Sequence, residues 1–287
     1  MQIGLVILNY KTKEITEKLV IKCCAFSIFS SIVVVDNNSG DDFSNIERIE
    51  NVKVIYNNVN SGYANGNNIG FKFQYEQCKC DIAFLANPDV EFEVDTIEKI
   101  ARFILSNDSY CIVSSKRSDS TYGPYVLQFW DRPKFFECLL ESFYLFRRYN
   151  YKKRRISSFK KIEECDDITH LDVEVVPGAF FGVNLMHFSE LNYLDENTFL
   201  WFEENCLSYR CIEHNYKQCL LLNCSYMHNH ITHARGNRLF YQYNRSKEHY
   251  CREYLKLNKF KMFLIRIFDV YSNIEQRVLN LIAKLIK

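Results

Sequence analysis

Three apolar runs near the start of the chain each break off into asparagine and aspartate, and this pattern limits the fold more than any other feature. Ile3-Gly-Leu-Val-Ile-Leu8 leads into Asn9 and Tyr10, and Ser31-Ile-Val-Val-Val-Asp36 into Asn37-Asn38-Ser39-Gly40. The run 82–86 leads into Asn87-Pro88-Asp89. Runs that are apolar throughout, rather than alternating, belong to strands buried on both faces. Pro88 blocks further ladder pairing, so Asp89 stands at the carboxyl end of its strand. A further strand is predicted over 52–56. Between the strands, 12–26 carries Ile15, Leu19 and Cys23 at helical spacing, and 65–77 also reads as helix. Asp95 with Glu98 resembles a capping box that opens a helix to about Leu105. Such alternation predicts an α/β fold with a mainly parallel sheet covered on both faces.

In a doubly wound sheet the carboxyl ends of the strands share one edge, where ligands bind. Asn9 and Tyr10, Asp36 and Asn38, and Asn87 and Asp89 are therefore candidates to line one crevice. A carboxylate there can hold a divalent metal, and the metal a diphosphate. Asp36 can accept hydrogen bonds from a ribose or base. The alternative is that these residues only build turns, which Asn, Asp, Ser and Gly favour for local reasons. Neither a Gly-x-Gly-x-x-Gly nor a Gly-x-x-x-x-Gly-Lys-Ser/Thr pattern is present, which argues against a dinucleotide enzyme and a phosphate-loop ATPase.

Four segments together resemble the inverting family-two glycosyltransferases: Val6-Ile-Leu-Asn-Tyr10, Val35-Asp-Asn-Asn-Ser39, Asn60-Ser-Gly-Tyr-Ala-Asn-Gly-Asn-Asn-Ile-Gly70 and Leu85-Ala-Asn-Pro-Asp89. The likeness is greatest to the rhamnosyltransferase-like branch of bacterial polysaccharide synthesis. It implies a GT-A fold in which Asn9, Tyr10, Asp36, Asn38 and Asn87 hold the nucleotide sugar. The segment 60–68, with Asn60, Gly62, Asn67 and Asn68, would close around it. Asp89 would bind a metal, Mn²⁺ or Mg²⁺, that bridges the donor diphosphate.

The resemblance covers about 3–115, lapses over 116–175 and resumes over 176–230. Val176-Pro-Gly-Ala-Phe-Phe181 resembles the family's acceptor-side segment and 194–210 the stretch that holds the catalytic base, which implies that Gly178, Ala179 and Trp201 lie on the acceptor side. An inverting transfer needs a carboxylate to take the acceptor's proton while a metal stabilises the departing diphosphate. Where the family usually presents Glu-Asp, this chain has Glu203-Glu204, which makes Glu204 the implied base and Glu203 the implied residue that helps orient the acceptor or the base. The longer side chain adds about 1.5 Å of reach. A family Asp two residues on is replaced by Cys206. Without the upstream motifs, Glu203 and Glu204 would read as acidic residues in the first turn of a helix. His228 matches the position of a metal-binding histidine. His228, His230 and His233 together also suggest zinc, but no cysteine pair stands beside them at finger spacing.

The net charge of +1 gives no global attraction to nucleic acid. Twelve cysteines without metal or redox spacing, and no leader, predict reduced thiols in a cytoplasmic protein. Local charge is more telling. An amphipathic helix is predicted over 135–146, a basic, tyrosine-rich stretch follows to 161, and the tail from 254 mixes phenylalanines with lysines. Such segments suit the surface of an anionic membrane, at its inner face, or else a solvated basic face packed on the domain. The predicted organisation is a GT-A domain over 1–235, with a nucleotide half to about 115 and an acceptor half beyond it, followed by a helical extension over 236–287. The expected activity is sugar transfer from a nucleotide-sugar donor to a glycan or lipid-linked glycan. A degenerate binding protein is the competing class, and a sugar nucleotidyltransferase a weaker one, since the basic Gly-rich loop it needs after the first strand is absent.

Overall fold

The computed structural model describes residues 1–165, 168–229 and 237–285. The first half is built from β1 (Ile3–Asn9), α1 (Lys13–Cys24), β2 (Ser31–Asp36), β3 (Val52–Tyr56), α2 (Tyr63–Glu76) and β4 (Ile82–Ala86). The short β5 (Val90–Glu91), α3 (Val94–Ser106) and β6 (Tyr110–Ser118) follow. β3, β2, β1 and β4 pair side by side, all parallel. Alternate residues of β1 enter different cores. Ile3, Leu5 and Ile7 pack with Leu19 of α1 and Ile100 of α3, whereas Val6 packs with Phe71 of α2. Both faces of the sheet are therefore covered, and this makes the apolar runs continuous.

The second half adds α4 (Phe135–Leu140), α5 (Tyr144–Glu163), β7 (His170–Val173), β8 (Phe180–Asn184) and α6 (Leu185–Glu190). The chain then forms α7 (Glu203–Glu213), β9 (Lys217–His228), α8 (Asn237–Glu253) and α9 (Lys259–Leu285). β8 lies antiparallel between β4 and β6, and β9 runs parallel to β6. The full order is β3-β2-β1-β4-β8-β6-β9-β5, with β7 also on β9. The twelve cysteines are free thiols.

The structure departs locally from the expectations. The 95–98 capping box does not form: Glu93 is the N-cap of α3, while Asp95 pairs with Lys99 at 2.6 Å and Glu98 with Arg102 at 3.0 Å. The helix expected over 135–146 is two helices. The break falls at Ser142, whose hydroxyl is drawn into a buried cluster with Asp269 (3.0 Å) and Lys247 (2.9 Å). The expected boundary at 235, like His230 and His233, lies outside the described residues. The C-terminal helices share a core with the preceding chain, in which Cys138 of α4 and Cys206 of α7 pack with Tyr250 of α8 and Ile265 of α9.

Candidate active site

Asp89 and His228 lie 139 positions apart in sequence, yet His228 Nε2 is 3.1 Å from Asp89 Oδ1. Strand register is the cause. β5 begins directly after Asp89 and pairs Val90 with His228 at the end of β9. Both side chains are largely buried. Among the described residues no cluster of three His, Cys, Asp or Glu could hold a metal. Asp89 and His228 together offer a carboxylate oxygen and an imidazole nitrogen. That donor set suits Mn²⁺ or Mg²⁺ when diphosphate oxygens and water complete the coordination shell.

Glu203 and Glu204 form the first turn of α7, and the two residues before them, Trp201 and Phe202, are both left-handed, with φ of +66° and +68°. Bulky residues adopt that conformation only when packing holds them there, at a cost of roughly 1–3 kcal/mol each. Here α8 supplies the packing. Tyr243 meets both rings, Tyr250 meets Phe202, and the Ser246 hydroxyl donates to the Leu200 carbonyl at 3.0 Å. The strained turn brings Glu204 against the segment that precedes β8. Glu204 Oε1 accepts from the Gly178 N–H at 3.2 Å. Burial raises the Glu204 carboxyl above its ordinary value. Burial and the adjacent Glu204 raise Glu203 further. Glu203 is 4% exposed, and its Oε2 has no hydrogen-bond partner. It faces a cavity of about 10 Å³ lined by Tyr63, Phe181, Leu194, Leu207 and Gln218. That is room for about one water.

Tyr63 joins the two halves. Its hydroxyl lies 2.8 Å from Asn87 Oδ1 and 2.7 Å from the Gly178 carbonyl. One hydroxyl proton cannot serve two acceptors, so turning the Asn87 amide to donate satisfies both contacts. A continuous path then runs from the 87–89 turn through Tyr63 and Gly178 to Glu204. Burial, then the nearby Glu203, Glu204 and Asp89 carboxylates, push the Tyr63 hydroxyl far above its ordinary pKa, so it remains a donor. Tyr63 can start α2 at this point because Gly62, with φ +102°, lets the backbone pass against Phe199. A Cβ there would fall 2.5 Å from the Phe199 carbonyl oxygen.

The remaining candidates divide into exposed and buried. Tyr10 and Asn38 are exposed, Asn38 in the left-handed conformation at φ +60°. Asp36 is 2% exposed and is held by the Asn9 amide (2.7 Å) and by the hydroxyl and amide of Ser39. Asn9 is fully buried. Its carbonyl oxygen accepts from Thr12 and Thr16 while its amide reaches Asp36, Ser39 and Asp41, so it orients Asp36 and anchors α1. Asn60 accepts from Asn37, which also donates to the Gly62 carbonyl. Asn67 donates to the Tyr63 carbonyl inside α2. Asn68 clamps 194–196, exchanging bonds with the Leu194 backbone and donating to Glu196. Both asparagines are buried, which makes them braces of the loop rather than groups open to a ligand. Ala179 is buried and accepts from the Asn87 N–H at 2.9 Å.

Sequence reasoning did not single out Tyr63, Asn37 or Asp195. Asp195 opens the loop that leads to Trp201. It accepts from His249 and Tyr254 at 2.7 Å each and meets Arg210 at 3.3 Å. Burial acts to raise its pKa, but bonds from His249, Tyr254 and Asn197 outweigh this and hold it well below the carboxylate range. The signal for it was its place in the segment that resembles the family's base-bearing stretch.

The glycosyl transferase family 2 model matches residues 7–171, more than half of the chain. The chain belongs to that family. The match runs past residue 116, where the motif likeness lapses. The low-salt glycan biosynthesis hexosyltransferase Agl10 of Haloferax volcanii is 23% identical over 213 residues, which are 74% of this chain and 62% of that protein. Among solved structures, GalNAc-T7 with UDP, GalNAc and Mn²⁺ aligns over 89% of this chain and 49% of its own, at TM-score 0.60 and 17% identity. The mannosyltransferase PcManGT of Pyrobaculum calidifontis, with GDP-Man and Mn²⁺, aligns over 94% and 69%, at TM-score 0.58 and 11% identity. These likenesses show the shared GT-A fold.

Proposed function

We propose that this family-two protein is an inverting, metal-dependent glycosyltransferase that moves a sugar from a nucleotide-sugar donor to a glycan or lipid-linked glycan at the inner face of a membrane. The observation that carries the proposal is the hydrogen-bonded path from Asn87, in the turn where Asp89 meets His228, through Tyr63 and Gly178 to Glu204. Asp89 and His228 hold the metal, which when bound stabilises negative charge on the leaving diphosphate. Asp36, oriented by Asn9, and the exposed Tyr10 and Asn38 receive the nucleoside. Gly178, Ala179 and Trp201 border the acceptor. Glu204 takes the acceptor hydroxyl's proton as that oxygen attacks the anomeric carbon. Its raised pKa makes it a stronger base than a solvated carboxylate. Cys206 lies in the core behind α7, and its thiol is pushed up by burial, so it takes no part in the chemistry. Likeness to Agl10, to GalNAc-T7 with UDP, GalNAc and Mn²⁺, and to PcManGT with GDP-Man and Mn²⁺ supports hexosyl transfer, a nucleotide-sugar donor and a divalent metal for this chain.

The test is thermal stabilisation by a panel of nucleotide sugars with and without Mn²⁺, followed by transfer assays with the donor it identifies. Metal-dependent stabilisation that is lost in Asp89→Asn, and transfer that is lost in Glu204→Gln with donor stabilisation intact, are expected. Retained transfer in Glu204→Gln would move the base elsewhere. Donor stabilisation without turnover in the native protein would favour the binding-protein class.

A further inference from the structure

Helix α9 presents a long apolar stripe that nothing among the described residues covers. Phe260, Phe263, Ile267, Val270, Ile274 and Val278 recur every three or four residues and are 47 to 67% exposed. At helical rise the stripe is about 27 Å long. The opposite face of α9 is the packed one, with Met262 and Ile265 in the core and Asp269 paired with the buried Lys247 at 2.5 Å. The helix is therefore fixed in rotation, and its exposed side does not turn inward. Exposed apolar residues continue beside it on the preceding helices. Phe135 lies under Lys261 and against the exposed Phe136, and Phe143, two residues before the exposed Leu145, meets Phe268 and Tyr271.

Charge decides what such a surface binds. Residues 134–161 carry a net +7 and residues 254–287 a net +5, so the rest of the chain carries −11 within a total of +1. A second copy of this chain would bring two basic surfaces together. A coiled-coil seam would also be one narrow stripe, whereas this one spreads over two neighbouring elements and is rich in aromatic rings. Apolar and aromatic side chains flanked by lysine and arginine match the interface of an anionic bilayer. No helix among the described residues is long and apolar enough to cross a membrane, which leaves α9 lying along the surface.

We propose that the exposed face of α9, with the adjoining ends of α4 and α5, is a docking surface for an anionic lipid bilayer, entered by Phe260, Phe263 and Ile267 and steered by the surrounding lysines and arginines. It gives the membrane placement in the proposed function a specific surface, but it requires neither donor nor metal, so its test does not depend on catalysis. α9 and the strained 201–202 turn both pack on α8, so the docked helix and the base share one support.

The experiment is sedimentation of the full chain with vesicles of phosphatidylcholine alone or with phosphatidylglycerol, at low and high salt. Retention is expected to be roughly tenfold or more greater on the anionic vesicles and to fall as salt rises. Phe263→Asp with Ile267→Asp changes exposed positions only. It is expected to abolish retention while leaving the melting temperature and donor stabilisation unchanged. Lys256→Glu with Lys259→Glu is expected to weaken retention without removing it on salt-free anionic vesicles. Failure of the folded native chain to sediment with anionic vesicles at low salt would overturn the proposal. So would equal retention of the double-aspartate variant, or a dimer in light scattering that this variant dissolves while vesicles retain nothing.

Discussion

Replacing Gly178 with alanine probes the base directly. The backbone of Gly178 lies outside the positive-φ region, so alanine meets no conformational penalty there. The new Cβ would instead stand 2.7 Å from Glu204 Oε1 and 3.2 Å from its Cγ and Cδ. Ordinary contact begins near 3.4 Å, so the carboxylate must retreat by about 0.7 Å. Retreat also weakens the 3.2 Å bond from the Gly178 N–H. Because Glu204 is the flexible partner, the fold is expected to lose only about 1 kcal/mol. Catalysis is more sensitive, since a misplacement near 1 Å costs on the order of 10²-fold. The expected result is a kcat lowered about 30- to 100-fold, or about 2–2.7 kcal/mol in the barrier. Donor stabilisation with metal should stay intact. Steady-state transfer kinetics beside a thermal-shift titration separate the two effects. A kcat within threefold of the native value would refute the assignment of Glu204 as a positioned base. Loss of donor stabilisation with unchanged kcat at saturation would place Gly178 on the donor side.

Other consequences follow from the same geometry. Glu204's raised carboxyl predicts that the acid limb of the kcat profile falls at a pH above the usual value of about 4.3 for glutamate, measured across pH 4 to 8. Glu203 has a folded pKa raised above its unfolded value, so its neutral form is favoured in the fold and it lowers stability as pH rises through that window. Glu203→Gln is expected to melt at or above the native temperature at pH 8 and to flatten the decline from pH 4 upward, while a marked loss of stability would mean that Glu203 is ionised. Asp195 has the opposite sign: its depressed pKa supplies stability that is complete at neutral pH and is lost only as pH falls through the folded value. Asp195→Asn leaves Arg210 and His249 without their carboxylate and is expected to cost about 3 kcal/mol, or on the order of 6 to 10 °C by calorimetry at pH 7. It should also slow transfer, because 195–202 leads directly into Glu203.

Much of the fold could be read locally. Continuous apolar runs identified the buried strands β1, β2 and β4, and the residues after them marked the edge where the candidates gather. Asp89 stood out because a carboxylate after a strand-ending proline is a short-range signal, whereas Glu203 and Glu204 were singled out by family resemblance, since locally they read only as acidic residues opening a helix. Tyr63 was not legible in the same way. It lay in the quoted segment, but its role depends on Gly178, 115 positions away. The asparagines of α2 were misleading for a related reason. Asn68 has the composition of a ligand-binding residue, and only the approach of the 194–196 loop shows its amide already engaged.

Sequence alone determined the periodicities, the turn chemistry and the charge imbalance, because each is carried by neighbours within a few residues. Tertiary structure alone decided which polar groups meet. The β5–β9 register brings His228 to Asp89, antiparallel β8 puts Gly178 against Glu204, and α8 holds Trp201 and Phe202 in conformations their own side chains disfavour. It also decided that the helix predicted over 135–146 breaks at Ser142, where burial of Lys247 and Asp269 requires a polar partner. Local patterns cannot encode these outcomes, because hydrogen bonding and desolvation act between groups that become neighbours only once the sheet and helices have packed.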